Sequence, residues 1–162
     1  PYLFLEQKGL YRQIYASSPE PDEDFLLPWG KARVARPGKH LTVVTWGALV
    51  KKSLDAAEHL ARRGVAVEVI DLRTMVPLDV ETVVASVRKT GRLVIAHEDV
   101  VFGGFGAEVA ARVAEEAFDA LDAPIRRYGG AYTPVPYNWF LEEEVLPQTA
   151  GLIRVLEETI EF

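Results

Sequence analysis

The chain has 162 residues, a formal net charge of -6 and no cysteine, which excludes disulfides, thiolate metal centres and a cysteine nucleophile and suits a cytoplasmic setting. Hydrophobic residues make up 49% and charged ones 26%, well mixed, so the chain can bury a core and lacks the composition of a disordered tail. Its lysines and arginines are scattered and no apolar run reaches the length of a membrane span, so neither nucleic acid nor a membrane is an expected partner.

In chain order, PYLFLE at 1–6 reads as a strand already under way, and with no initiating Met this points to a fragment or a processed chain. SSPEPDED at 17–24 holds prolines and acids that continue neither a helix nor a central strand, and reads as a linker. LPWGKARVARPGKH, 27–40, alternates briefly and turns at Pro37-Gly38, as an edge hairpin would. From Leu41 the period switches between short β-rich runs and longer helical ones. LTVVTW (41–46) predicts a buried strand. ALVKKSLDAAEHLARR (48–63) predicts a helix with Leu49, Ser53, Leu54, Ala57, Leu60 and Ala61 on its inner face and Gly64 as its stop. VAVEVID (65–71) is a second strand. A helix follows in which Val80, Val83, Val84 and Val87 repeat at i, i+3, i+4 and i+7, N-capped by Asp79 and ended by Gly91. RLVIAH (92–97), GAEVAARVAEEAFDAL (106–121) and APIRRY (123–128) give a third strand, a third helix and a fourth strand. A proline-rich crossing at 132–147 leads to an amphipathic helix over 149–160.

Strands joined by helical crossovers are parallel and right-handed, which makes the fold class α/β: a three-layer sandwich around a mostly parallel sheet. Ligands in such sheets sit beyond the carboxyl ends of the strands, here residues 45–48, 71–74 and 97–102. His97 and Glu98 lie at such an end, where a histidine is placed to act as acid, base or donor; the alternative is a hydrogen-bonded structural or interface residue. His40 falls in a turn and His59 on a charged helix face, each without a relay partner. Gly104 and Gly106 fit two positions of a dinucleotide fingerprint, but the third is Val109, and Glu108 would repel a phosphate. Gly103, Gly104 and Gly106 therefore read as residues for positive φ and close helix packing, with ligand contact as the alternative. In DLRTMVPLD, Asp71 and Arg73 are spaced to clamp one another or a neighbouring chain, or Arg73 to bind an anion. Acidic runs at 22–24, 142–144 and 157–161, with Glu161 beside the carboxylate of Phe162, are solvated faces or a receptor for a basic partner. Tyr132, Tyr137, Trp139 and Phe140 crowd the irregular crossing as core cover or interface. No P-loop, GxSxG, HExxH or EF-hand loop occurs, so no catalytic or metal residue is assigned.

The succession FLEQKGLYR, PWGKARVARPGKHLTVVTWGALV, VEVIDLRTMVPLD, VRKTGRLVIAHED, GGFGAEVAARV, APIRRYGG and VPYNWFLEEEVLP resembles the C-terminal part of the β subunit of thiamine-diphosphate-dependent 2-oxo acid dehydrogenases. The resemblance implies a transketolase C-terminal domain fold over 37–162, with 1–36 as the end of a preceding pyrimidine-binding domain and its linker. It implies that thiamine diphosphate and Mg²⁺ belong to the full enzyme and are held by other domains, so that this chain alone binds no cofactor and is inactive. It implies three partners: the α subunit or remainder of the same polypeptide, a second copy of the chain, and the peripheral-subunit-binding domain of the acyltransferase. In some family members the C-terminal carboxylate helps that docking, and the match here is Phe162. A family aspartate in the loop after the last strand falls at Tyr132, which changes the anionic site. A transketolase or deoxyxylulose-phosphate synthase parent, or a freestanding anion-binding module, are the alternatives.

Overall fold

A computed structural model describes residues 1–162. Five strands form one sheet in the order β1-β3-β2-β4-β5: β1 Arg33–Arg36, β2 Leu41–Thr45, β3 Val67–Asp71, β4 Leu93–Val100 and β5 Arg126–Gly130. All neighbours run parallel except β1 with β3. The inner strands are buried on both faces, and their sequences are accordingly near-continuous apolar runs rather than alternating ones.

Helices cover both faces. On one, α1 (Leu49–Ala61) and α5 (Thr149–Glu161) pack over Leu41, Val43, Val67, Val69, Val94 and Ala96. On the other, α2 (Val80–Thr90) and α3 (Gly106–Ala117) pack over Val44, Ile70, Leu93 and Ile95. The inner stripe of α1 is Leu49, Ser53, Ala56, Ala57 and Leu60; Leu54 and Ala61 are only half-buried at its margin. Asp79 caps α2, accepting the Thr82 N–H at 3.2 Å, and also accepts the Ala32 N–H at 2.9 Å, tying the N-terminal approach to the helix. Gly91 ends α2 at φ 70°.

Four expectations are corrected. The Pro37-Gly38 turn joins β1 to β2, but β3 lies between them, so the pair is not a hairpin: β2 is already paired on both sides by β3 and β4, and β1 pairs antiparallel with the free edge of β3. PYLFLE forms no strand; a strand needs a neighbour for its backbone groups, and neither sheet edge meets this segment, which instead stacks Tyr2 on Trp29 at 4.7 Å. Residues 132–147 contain a short helix, α4 (Trp139–Val145), started by the Asn138 side chain, which accepts the Phe140 N–H. The third strand runs on past His97 to Val100. No helix is long and apolar enough to cross a membrane.

Candidate functional site

The carboxyl edge of the sheet is formed by the ends of β2, β3, β4 and β5 with the loops that follow them. His97 is at this edge in sequence but inside the protein in space. It is fully buried, its ring lies parallel to Trp46 with centroids 5.4 Å apart, and neither ring nitrogen has a hydrogen-bond partner. The glycines explain the burial. A Cβ on Gly106 would stand 2.5 Å from His97 Nε2, one on Gly104 2.8 Å from Cε1, and one on Gly129 3.1 Å from the same carbon. Of the two readings of His97, acid or base against structural residue, the packing favours the second, and Gly104 and Gly106 face the imidazole in close helix packing. Gly103 is the exception, with φ 72° and open space around it.

Burial, only partly offset by the Asp99 carboxylate, holds the His97 pKa below the ordinary histidine value. The native ring stays neutral to a lower pH than the unfolded one, which takes up a proton near pH 6.5, so the unfolded state binds more protons as pH falls below about that value. Stability is expected to fall as pH drops below about 6.5. Urea midpoints at pH 7.5 and 5.5 should separate in the native chain and converge in His97→Leu; equal separation in both would rule out His97 as the cause.

Glu98 and Asp99, next along β4, are exposed. With Val100 they border a cavity of about 300 Å³ completed by Gly130, Ala131, Thr133, Val135, Val145 and Leu146. Lys52, near the start of α1, donates to Pro147 O at 2.8 Å and Gln148 Oε1 at 3.0 Å; burial lowers its pKa, and Glu98 and Glu143 pull it back up. Sequence reasoning missed Lys52 and Trp46, since an interior contact between distant segments leaves no local pattern. Asp71 and Arg73 do not form the expected side-chain clamp: Asp71 Oδ1 accepts the backbone N–H of Arg73 at 3.2 Å, because the turn points the guanidinium outward. No group of three or more His, Asp or Glu residues is arranged to hold a metal ion.

The family model described as "Transketolase, C-terminal domain" matches residues 30–152. The chain belongs to the transketolase C-terminal domain family. Over 94% of its length it is 44% identical to the pyruvate dehydrogenase E1 component subunit beta, mitochondrial, of Dictyostelium discoideum. Over 95% it is 46% identical to subunit beta-1, mitochondrial, of Arabidopsis thaliana, and over 100% it is 43% identical to subunit beta of Staphylococcus aureus. It spans 43 to 49% of those relatives, about half their length. Among solved structures, a split-gene transketolase described as an inactive beta4 tetramer superposes with a TM-score of 0.76 at 29% identity, over 88% of this chain and 46% of that one. A transketolase from Pichia stipitis, at 15% identity and a TM-score of 0.53, shares the fold.

In this transketolase C-terminal domain the two groups of docking candidates lie at opposite ends of the sheet. Tyr132 and Tyr137 are exposed in the loop after β5, with Tyr132 edge-on to Phe102 at 5.2 Å, and Trp139 stacks on Phe140. Helix α5 begins beside them, where Gln148 N–H donates to the Tyr128 hydroxyl. It then runs back to the amino edge, where Ile160 lines a cleft with Lys39, Gly64 and Gly91. Thirteen helical residues separate the two ends by about 20 Å. Glu161 and the exposed Phe162 are thus remote from Tyr132 within one chain.

Proposed function

We propose that this chain is the C-terminal domain of the β subunit of a 2-oxo acid dehydrogenase, and that its own task is subunit assembly and docking of the acyltransferase core. The observation that carries the reading is the 43 to 46% identity to pyruvate dehydrogenase β subunits along nearly the whole chain. In the full enzyme a 2-oxo acid is oxidatively decarboxylated and its acyl group passed to a lipoyl arm, with thiamine diphosphate and Mg²⁺ supplying the carbanion chemistry. Those groups belong to other domains in this reading, which the close packing of Gly104 and Gly106 on His97 supports. The partners are the α subunit or the rest of the same polypeptide, a second copy of the chain, and a basic peripheral-subunit-binding domain. Glu161, Phe162 and the Tyr132 to Phe140 surface, with Asp71 and Arg73, are the docking candidates. The exposed side chains of Tyr2, Leu3, Phe4 and Leu5 suit packing against a preceding domain within that polypeptide.

Isothermal titration calorimetry tests the division of labour. Thiamine diphosphate with Mg²⁺ should give no heat of binding, whereas a peripheral-subunit-binding domain should give a saturable isotherm that weakens with salt. Saturable cofactor binding by this chain would overturn the reading. A transketolase parent is the second reading, favoured by the 0.76 superposition but at lower identity.

A further inference from the structure

The cleft at the amino edge of the sheet has a volume of about 660 Å³ and a mostly polar wall. It lies where the inner strands begin: Lys39 and His40 precede β2, Val65 precedes β3 and Arg92 precedes β4, whose start is tied to β2 by the Thr42 N–H donating to Arg92 O at 2.9 Å. Lys39, Arg88, Lys89 and Arg92 bring positive charge to the wall and Asp122 alone brings negative, in a chain whose net charge is -6. Two of these cations are already committed. Arg88 and Lys89 stand in the last turn of α2, where cations suit the helix dipole, and they pair with Asp119 and Glu68.

Arg92 has no such commitment. The other half-buried arginines are hydrogen-bonded, Arg36 to Glu58 and Arg112 to Glu116, each at 2.9 Å. The Arg92 side chain is only 26% exposed, yet its Nε is sealed from solvent without an acceptor and its Nη1 stands 3.8 Å from Asp122 Oδ2, beyond hydrogen-bond length. A guanidinium withdrawn from water in this way has lost hydration without gaining an acceptor, which is the state an incoming anion would relieve. Two further donors share the wall. Lys39 is exposed and enters no ion pair. His40 Nδ1 accepts the Ala66 N–H at 2.8 Å, which leaves the proton of the neutral ring on Nε2.

A planar fork, a point charge and a neutral N–H match the three terminal oxygens of a phosphate better than the two of a carboxylate. No Phe, Tyr or Trp lines the cleft to stack on a nucleotide base. We propose that this cleft binds the phosphate group of a small anion, with Arg92 turning from Asp122 onto two phosphate oxygens and Lys39 and the His40 Nε2–H completing the donor set. The site goes beyond the assembly reading and does not depend on it.

Isothermal titration calorimetry of the 162-residue chain, free of divalent metal, tests the site with glycerol phosphate and inorganic phosphate as probes. Glycerol phosphate should bind saturably, and Arg92→Gln and Lys39→Gln should each weaken it about tenfold, the scale of one charge-assisted contact. Arg33→Gln, which removes the same charge at the carboxyl end of the sheet, should bind as wild type does. Inorganic phosphate as tight as the ester would support a site for free phosphate, and weaker binding of it a site for a phosphorylated small molecule. No saturable heat with either probe, or an equal loss in Arg33→Gln, would overturn the proposal. Should Arg92→Gln fail to fold, unchanged binding in Lys39→Gln overturns it alone. Thiamine diphosphate with Mg²⁺ carries its diphosphate chelated beside a thiazolium cation, so its silence agrees with this site; cofactor heat that persists in Arg92→Gln would count against the functional reading and leave the site standing.

Discussion

Gly106→Ala is expected to destabilise the fold by about 1–3 kcal/mol, the usual cost of overpacking a filled interior. Helix propensity alone predicts the opposite sign, since alanine is better than glycine in a helix by up to about 1 kcal/mol. Packing should win because the new methyl meets His97 Nε2 at 2.5 Å, Cδ2 at 2.6 Å and Ile95 Cγ2 at 3.2 Å. The imidazole has no retreat: Trp46 lies along one face, and Gly104 and Gly129 come close to its Cε1. Gly103→Ala is the control, since its site is open and only the φ of 72° is unfavourable, so it should cost about 1 kcal/mol. Urea unfolding of the two variants decides the point; a larger loss in Gly103→Ala would mean that the His97 contact is softer than the packing implies.

Glu68→Ala should cost about 2–4 kcal/mol at neutral pH, the range for leaving buried donors without their acceptor. The Glu68 carboxylate is buried beneath α2 and accepts from Lys89 Nζ, from Ser86 Oγ at 2.5 Å and from Gly38 N–H at 3.1 Å. Ser86 in turn meets Thr42 Oγ1 at 2.7 Å, and Thr42 meets Thr90 Oγ1 at 2.7 Å. An ionised carboxylate only accepts, so Ser86 donates its hydroxyl proton to Glu68, while Thr90 Oγ1 also reaches the Ser86 carbonyl at 3.1 Å. Burial pushes the Glu68 pKa up, but the donors from Lys89, Ser86 and Gly38 outweigh it and hold the group below its ordinary value. The stabilisation is therefore present above the unfolded carboxylate value of about 4.3 and is lost as pH falls through the lower folded value. Asp79, also held down by its donors despite burial, adds to the same acid limb. Acid titration of unfolding free energy should show a shallower limb in Glu68→Ala than in wild type; superimposable limbs would remove Glu68 from the account.

Several residues show how far the sequence could be read. Asp79 and Gly91 announced the ends of α2 because capping is local: the cap side chain lies three residues from the N–H it accepts, and a left-handed stop suits one residue type. Glu68 inside VAVEVID gave no such sign, because its partners Gly38, Ser86 and Lys89 are 18 to 30 residues away. A still greater separation in the chain hid the meeting of His97 with Trp46, which places the imidazole in the core.

What the sequence determined by itself was the alternation of strands and helices, the parallel α/β class and the family, since these rest on period, punctuation and ordered motifs that each lie within a short stretch. Only the tertiary structure decided that β3 separates β1 from β2, that the glycine turn is filled by an imidazole, and that Tyr132 and Phe162 lie at opposite ends of the sheet. Those outcomes depend on which surfaces compete for the same space, and that competition is settled by close packing among segments far apart in the chain.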